Sequence, residues 1–324
     1  MMGFDMTLLA LLMVAGVALD WLLGEAARWH PLVGFGRCVQ WLERRLNRRP
    51  GSYARGALAW MLAVLPLVAL SAWITILLAR QSFWLAAAWH VALLYFCIGL
   101  RSLRDHVMPI AQALKSGDLA AARKLTGRIV SRDTSQSQEN DLAKAAVESL
   151  LENGNDAVFG TLFWFAVAGG PGALLFRLAN TLDAMWGYRT PRFLAFGCVA
   201  ARIDDGLNWI PARLTAWSYA LLGNRRQARM CWRTQAPAWS SPNAGPVMSS
   251  GAGALGLALG GAAIYDGEVE QRPPLGMGRD AVADDIVRAW KLVSRTAMLW
   301  LTVILTISMF YTTYVGLTMG GPHA

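Results

Sequence analysis

Long uncharged segments constrain this chain more than any other feature. Five of them contain no Asp, Glu, Lys or Arg, and they cover residues 57–79, 82–100, 157–176, 244–265 and 296–322. Each is long enough to cross about 30 Å of hydrocarbon as an α-helix. Only 16% of the 324 residues are charged and 55% are hydrophobic, whereas soluble domains average about a quarter charged residues. The sequence therefore predicts an integral membrane protein that crosses the bilayer several times.

A sixth apolar stretch, residues 6–23, is interrupted only by Asp20. It lacks the basic n-region and the small-residue cleavage site of a secretory signal peptide. We therefore interpret it as a retained first helix.

The basic residues are distributed unevenly between the apolar stretches. Residues 25–56 contain seven Lys and Arg, residues 101–156 contain eight, and residues 1–5 contain none. Basic loops stay in the cytoplasm, which predicts an outside N-terminus and cytoplasmic loops at 25–56 and 101–156. The same rule explains the net charge of +9 without nucleic-acid binding, for which no motif is present.

Two of the uncharged segments are rich in glycine and flanked on both sides by basic sequence. They contain "AGGPGAL" within 157–176 and "SGAGALGLALGG" within 244–265. Non-helical backbone at membrane depth requires protein or water to satisfy its polar groups. We expect both to be re-entrant, or broken helices packed inside the protein. Alternatively, 157–176 is paired with a second crossing inside 193–222.

No internal repeat and no convincing β-alternation is present, so the predicted class is all-α. We expect one membrane-embedded domain over 1–324, a polytopic membrane protein with about four transmembrane helices. These helices are predicted at 6–23, 57–79, 82–103 and 296–321. Between them we expect a cytoplasmic helical segment at 104–156, a membrane-associated core at 157–265 and a cytoplasmic segment at 266–295.

Acidic residues line one face of a predicted helix that runs into an apolar segment. In "NDLAKAAVESLLENGND", Asp141, Glu148 and Glu152 are spaced i, i+7 and i+11, which places them on one face, and Asp156 extends the line. Glu148, Glu152 and Asp156 are each four residues apart, and like charges at that spacing repel each other. A Mg²⁺ ion held through carboxylates and waters would offset the repulsion. The alternative is a solvated helix face, which we expect for Asp141 and Glu139.

Two further polar clusters are "NTLDAMWGY" at 180–188 and "ARIDDGLNWIPARLT" at 201–215. In the second, Arg202 and Arg213 bracket Asp204, Asp205 and Asn208. Arg suits bidentate binding of phosphate or carboxylate, so an anion-plus-metal site is one interpretation. Buried ion pairs between helices are the other.

Several signatures are absent from the sequence. There is no P-loop, no G-x-G-x-x-G after a strand and no H-E-x-x-H. The four cysteines lie far apart without zinc spacing, so we predict no zinc, haem or iron–sulfur site and no disulfide framework. His90 lies inside an apolar stretch, where a hydrogen-bonded packing histidine is favoured over a functional one.

Seven motifs in order resemble the adenosylcobinamide-phosphate synthases, a family of cobalamin-biosynthesis membrane proteins. They are "LDWLLGE…HP" at 19–31, "IVSRDTSQ" at 129–136, "AAVESLLENGND" at 145–156, "NTLDAMWGY" at 180–188, "AARIDDGLNWIPARL" at 200–214, "SSPNAG" at 240–245 and "GALGLALGG…Y" at 253–265. The chain departs from the family pattern at Ser131, Gly154, Ala157 and Thr161, while the charged members are kept.

The resemblance implies a reaction and its participants. Such proteins attach (R)-1-amino-2-propanol phosphate, or the free alcohol, to the unamidated propionate of adenosylcobyric acid, with ATP and Mg²⁺. They are proteins of the bacterial cytoplasmic (inner) membrane, and other corrinoid-pathway enzymes are possible partners. A membrane transporter of corrinoids or small molecules and a non-catalytic membrane sensor related to the family are the rival functions, and we expect no nucleic-acid partner.

The motifs, together with the resemblance, give the expected site residues. The expected catalytic residues are Arg132, Asp133, Glu148, Glu152, Asn153, Asp183, Arg202 and Asp205. The expected substrate-binding residues are Asn180, Tyr188, Asn208, Arg213, Ser241 and Asn243. The expected Mg²⁺ ligands are Glu152, Asp156, Asp204 and Asp205, with the two acidic groups converging on one Mg²⁺–nucleotide site.

Overall fold

A computed structural model describes residues 6–25, 30–48, 51–265 and 267–319. The predicted outside N-terminus and residues 26–29 of the first motif lie outside the described residues. Helices dominate the described ranges: α1 (Met6–Leu23), α2 (Pro31–Leu46), α3 (Tyr53–Gln81), α4 (Phe83–Cys97), α5 (Leu100–Lys115), α6 (Leu119–Thr126), α7 (Glu139–Gly154), α8 (Gly160–Trp186), α9 (Cys198–Leu222), α10 (Arg225–Gln235), α11 (Ala244–Leu255) and α12 (Ala283–Met319). A π-helical turn, Asn155–Phe159, joins α7 to α8.

Within the described residues, five helical stretches are long and apolar enough to cross a membrane. They are Met6–Leu23, Tyr53–Gln81, Phe83–Lys115, Glu139–Trp186 and Ala283–Tyr314. Four of them contain or largely overlap the four predicted transmembrane helices, and the fifth contains the glycine-rich segment 157–176. The prediction of a predominantly helical, polytopic membrane protein is therefore confirmed.

The chain divides into two compact units. One comprises Met1–Gly99, Gly160–Leu207 and Trp300–Ala324, and the other Leu100–Phe159 and Asn208–Leu299. We call them the first and the second unit. The single domain expected from the sequence stays a prediction.

The first unit has an apolar core made by α2, α3, α8 and the start of α9. Its fully buried members include Val39, Val64, Leu182 and Phe196. Apolar side chains recur every three or four residues along these helices, so that one stripe of each helix is removed from solvent.

Helix α8 is broken near its middle, as expected for its glycine-rich sequence. Ala168 and Gly169 leave helical geometry, and Gly169 takes a positive φ of 65°, which glycine adopts without steric cost. The backbone N–H of Gly170 donates to Nδ1 of His90 at 2.9 Å. His90 therefore satisfies a backbone group that the break has released, which is the packing role expected for it.

In the second unit, the glycine-rich helix α11 packs closely on α10. A Cβ atom at Gly253 would lie 2.8 Å from the Cα atom of Ala228, so a larger residue would force the helices apart. The Ser250 hydroxyl donates to the carbonyl of Ala216 at 2.6 Å. Small residues therefore bring α11 against its neighbours, as small-residue helix packing predicts.

Three strands follow α11, where the sequence predicted none. They are β1 (Leu257–Tyr265), β2 (Glu268–Leu275) and β3 (Arg279–Asp280). Strands β1 and β2 pair antiparallel with a bulge between Gly260 and Gly261, and β3 pairs parallel with β1. The segment 244–265 is thus a buried 12-residue helix followed by a strand. Twelve residues reach about 18 Å, too short to cross a bilayer.

Candidate functional site

The second unit contains a polar cavity of about 280 Å³. Four parts of the chain surround it: the loop that carries the 129–136 motif, helix α7, the 239–248 segment and the β1–β2 hairpin. Its lining residues are Ile129, Val130, Ser131, Arg132, Glu148, Ser149, Glu152, Asn153, Trp239, Ser240, Ser241, Ala244, Met248, Tyr265 and Arg272. Four of the sequence motifs, at 129–136, 145–156, 240–245 and 253–265, therefore meet at one cavity.

The carboxylate of Glu148 is the centre of a buried ion cluster. Nη2 of Arg132 lies 2.5 Å from its Oε2 atom and Nη1 of Arg272 lies 2.8 Å from the same oxygen. The backbone N–H of Gly260, at the bulge of β1, donates to Oε1 at 2.7 Å. Only 4% of the Glu148 side chain is exposed, so the two guanidinium groups are what make its negative charge tolerable there.

Hydrogen bonds hold the 129–136 loop against α6, α7 and the hairpin. The Ser149 hydroxyl donates to the carbonyl of Ile129 at 3.0 Å, and the Thr134 hydroxyl donates to the carbonyl of Arg123 at 2.9 Å. The N–H of Asp133 donates to the carbonyl of Ile264 on β1 at 2.8 Å. The loop thereby presents Arg132 to Glu148.

Asp133, an expected catalytic residue, does not line the cavity. Its side chain is exposed and its Oδ1 atom accepts the N–H of Ser135 at 2.8 Å. That backbone hydrogen bond holds the pKa of Asp133 below its usual range. The carboxylate stabilises the turn at 133–135.

Arg272 was not among the predicted site residues. Burial works against its positive charge, but the hydrogen bond to Glu148 holds the pKa of the guanidinium above its usual value. Its Nε atom donates to the carbonyl of Gly261 at 3.2 Å, and its Cζ atom lies 5.9 Å from the ring centroid of Trp239. Its donors are thus largely used by the protein, which indicates a positioning role.

Glu152 lies one helical turn after Glu148 and lines the same cavity. Its side chain is half-buried, and it accepts no hydrogen bond from a residue of the described ranges. The neighbouring Asn153 donates through Nδ2 to the carbonyl of Ser149 at 2.8 Å. Glu152 therefore presents an open carboxylate to the cavity, beside the cluster of Glu148 with Arg132 and Arg272.

Asp156, predicted to extend the acidic face, belongs to a separate polar network. Its Oδ1 atom accepts from Nδ2 of Asn208 at 2.7 Å and from Nδ2 of Asn155 at 3.0 Å. Asn155 also donates to Oδ1 of Asn208 at 2.7 Å and accepts from the Thr215 hydroxyl at 2.9 Å. These contacts join the π-helical turn to α9. Asp156 and Asn208 do not line the cavity.

Arg213 and Asn243, expected to bind substrate, bind each other. Arg213 donates through Nη1 to Oδ1 of Asn243 at 2.7 Å and through Nη2 to the carbonyl of Pro242 at 2.9 Å. Its Cζ atom lies 4.5 Å from the ring centroid of Trp209. Ser241 does line the cavity, and its hydroxyl accepts the N–H of Ala244 at 3.1 Å. Arg213 thus holds the segment that brings Ser241 to the cavity.

The remaining predicted residues lie in the first unit. Asn180 and Asp183 are half-buried on α8, and Tyr188 is exposed after it. On α9, Arg202 is exposed, Asp205 is half-buried and Asp204 is buried. The convergence of Asp204 and Asp205 with the acids of α7 stays a prediction.

The second unit does not display the expected magnesium ligands as a cluster. Glu152 faces the cavity, whereas Asp156 is engaged by two amides. Throughout the described part of the chain, no group of three or more His, Cys, Asp or Glu side chains is arranged to hold a metal ion.

Comparison with known proteins identifies the family. The family model described as CobD/Cbib protein matches residues 13–293. Proteins named "Cobalamin biosynthesis protein CobD" are similar along most of their length. The one from Stutzerimonas stutzeri (strain A1501) is 57% identical over 294 residues, 90% of this chain and 95% of the relative.

Two further relatives with the same name extend the similarity. The one from Chromobacterium violaceum is 52% identical over 307 residues, 93% of this chain and 97% of the relative. The one from Mycobacterium tuberculosis is 39% identical over 279 residues, 85% of this chain and 88% of the relative. No solved structure matches the chain. The chain belongs to the CobD/Cbib family.

Proposed function

We propose that this protein acts in cobalamin biosynthesis and joins (R)-1-amino-2-propanol phosphate, or the free alcohol, to adenosylcobyric acid through an amide bond, using ATP. The names of its relatives support the pathway, and the sequence motifs support the reaction. One observation links the proposed reaction to particular residues. The cavity of the second unit combines the open carboxylate of Glu152 with the guanidinium group of Arg132.

The size of the cavity favours the smaller substrate. Ligand pockets for drug-sized molecules span roughly 300–1,000 Å³, so about 280 Å³ suits a small amino alcohol or its phosphate. A corrin ring is far larger than this space. We therefore assign the cavity to the amine, with the corrinoid carboxylate reaching it from outside.

The charges of the cavity are complementary to an amine that carries a phosphate. Arg132, Arg272, Glu148 and Glu152 bring two guanidinium groups and two carboxyl groups to the cavity, so it offers partners of opposite charge to both a phosphate and an ammonium group. Glu152 receives the ammonium group. Arg132 receives the phosphate, because among the described residues only Glu148 accepts from its guanidinium group, which has five N–H donors.

The proposed chemistry needs an activated acyl group, because a carboxylate and an amine do not condense unaided at neutral pH. The corrinoid propionate takes the terminal phosphoryl group of ATP and becomes an acyl phosphate, with ADP as the other product. The amine nitrogen then attacks the acyl carbon, the C–N bond forms and inorganic phosphate leaves. Glu152 accepts the proton that the ammonium group must lose before the attack, the role of a general base.

The second unit does not fit a magnesium site built from protein side chains alone. Mg²⁺ binds through one or two carboxylates together with substrate phosphates and waters. Glu148 is bonded to two guanidinium groups and Asp156 to two amides. Mg²⁺ is therefore expected to arrive with the nucleotide, and no step above depends on a protein-held ion.

Incubation of the purified, detergent-solubilised protein with adenosylcobyric acid, the amine phosphate and Mg-ATP tests the proposal. Mass spectrometry should detect adenosylcobinamide phosphate and one ADP for each amide formed, with neither product when the amine is omitted. Replacing the amine phosphate by the free alcohol shows which substrate is preferred. Folded protein that forms no amide with either amine, or that moves corrinoid across a vesicle without changing it, would refute the reaction.

A further inference from the structure

Helix α10 carries an unusual concentration of positive charge away from the cavity. Arg225, Arg226, Arg229 and Arg233 border a surface concavity of about 560 Å³. Three of the four are exposed and Arg229 is half-buried. None of them forms an ion pair with a carboxylate of the described ranges. Four such guanidinium groups repel one another unless an anion lies between them.

Helical spacing places these arginines on one side of α10. Arg225, Arg229 and Arg233 follow each other at i, i+4 and i+8, and Arg226 adjoins them. The opposite side, with Ala228 and Cys231, is buried and packs on α11. The arginine side of α10 is thus exposed on the surface of the second unit.

Helix α9 carries a stripe of apolar side chains that are also exposed. Ile210, Leu214, Trp217 and Leu221 recur at intervals of four, three and four residues, and between 43% and 60% of each side chain is exposed. Along a helix these positions extend over about 16 Å. Contiguous exposed apolar surface of this kind marks an interaction site.

The stripe and the arginines form one continuous surface. Cζ of Arg229 lies 5.2 Å from the ring centroid of Trp217, and the rings of Trp217 and Trp232 meet edge to face at 5.6 Å. Tryptophan is enriched at the level of lipid headgroups, and arginine forms bidentate bonds with phosphate. Apolar side chains, interfacial rings and unpaired cations therefore follow one another along the surface.

We propose that the stripe of α9 and the arginine side of α10 form an interfacial surface that binds anionic phospholipid. Leu214, Trp217 and Leu221 enter the acyl region, and the α10 arginines bind headgroup phosphates. A soluble phosphate compound would engage the arginines but would leave the apolar stripe in water. The assignment is independent of the proposed enzymatic function and stands whether or not an amide is made.

Lipid binding to the whole protein in detergent tests the assignment. The protein is titrated with phosphatidylglycerol or phosphatidylcholine, bound lipid is counted by native mass spectrometry, and hydrogen exchange is followed over residues 225–235. Each basic residue near an anionic surface adds about fivefold to the affinity. The variant R225Q/R226Q should therefore bind phosphatidylglycerol about 25-fold more weakly, while R225K/R226K keeps most of the affinity.

A matched control removes the same charge elsewhere in the second unit. Lys124 and Arg128 are exposed but do not belong to the proposed lipid-binding surface of α9 and α10. The variant K124Q/R128Q should therefore bind phosphatidylglycerol as the unchanged protein does. Slower exchange of 225–235 with phosphatidylglycerol than with phosphatidylcholine supports the proposal. Equal protection by the two lipids, equal losses in the two glutamine variants, or the same protection by inorganic pyrophosphate without lipid would each overturn it.

Discussion

Nη1 of Arg272 lies 2.8 Å from Oε2 of Glu148, although 124 positions separate the two residues in the chain. Side chains of both are at least nine-tenths buried. Together with Arg132, the pair connects the 129–136 loop, helix α7 and the β1–β2 hairpin. The cavity therefore depends on one carboxylate for its shape.

Glu148→Gln should destabilise the protein markedly. The substitution leaves Arg132 and Arg272 buried without a counter-charge, and removing one partner of a buried pair costs about 3–5 kcal/mol. Thermal unfolding in detergent should show a clearly lower midpoint. Glu139→Gln is the control, because Glu139 is exposed in the first turn of α7 and should leave the midpoint unchanged. Equal midpoints for the two variants would contradict the assigned role of the ion cluster.

Glu152→Gln should lower the activity without lowering the stability of the protein. The open carboxylate accepts no hydrogen bond from a described residue, so its loss should leave the unfolding midpoint near that of the unchanged protein. Loss of a general base lowers the rate by about 10²–10⁴-fold, and the KM for the amine should rise as well. Amide formation followed by mass spectrometry measures both. A variant that forms the amide at the normal rate would show that Glu152 is not the general base.

Asn208→Ala should weaken the fold rather than the chemistry directly. Asn208 is buried, donates to Asp156 and accepts from Asn155. Each buried polar group left without a partner costs about 1–3 kcal/mol, so the unfolding midpoint should fall. Asn140→Ala, at an exposed position of α7, serves as the comparison and should change little. A fall in product formation at an unchanged unfolding midpoint would instead indicate that Asn208 binds substrate, as the sequence predicted.

Acid should weaken the first unit through Glu43. Burial raises the pKa of this carboxyl, but hydrogen bonds from Arg192 and Asn47 more than compensate and hold it below its usual value. The folded state thus binds its proton less readily than the unfolded chain. The resulting stability is present above the ordinary glutamate pKa of about 4.3 and is lost as the pH falls through the lower folded value.

The corresponding measurement is the unfolding midpoint as a function of pH for the unchanged protein and for Glu43→Gln. The unchanged protein should lose stability more steeply on acidification below the ordinary carboxyl range. Parallel curves would show that the Glu43–Arg192 contact, whose arginine side chain is 60% exposed, contributes nothing to the pH dependence.

Local periodicity predicted part of the candidate site. Glu148 and Glu152 share a helix face because α7 is regular between them, and both line the cavity. The same reasoning placed Asp156 on that face, but Asp156 does not line the cavity. The chain enters a π-helical turn at Asn155, and the wider turn rotates the following side chains relative to a regular α-helix. Asp156 therefore meets Asn208 and not the cavity.

The β1–β2 hairpin was not predictable from the alternation of polar and apolar residues. Strand β1 reads "LALGGAAIY", in which glycine and alanine leave no alternation of polar and apolar residues to detect. Arg272 follows in the segment 266–295, for which the sequence predicted only a cytoplasmic location. Its contact with Glu148 joins distant parts of the chain, and such a contact leaves no trace in local spacing.

The long separation of Glu148 from the hairpin also has a consequence for the order of events during synthesis. Chains emerge from the ribosome N-terminal end first, so α7 and Arg132 are available long before β1 and β2. Residues 160–207, which belong to the other unit, are made in between. Until residue 272 has been added, Glu148 has only Arg132 as its ionic partner, and the wall formed by the hairpin does not exist. Completion of the cavity is therefore a late event in the biogenesis of this protein.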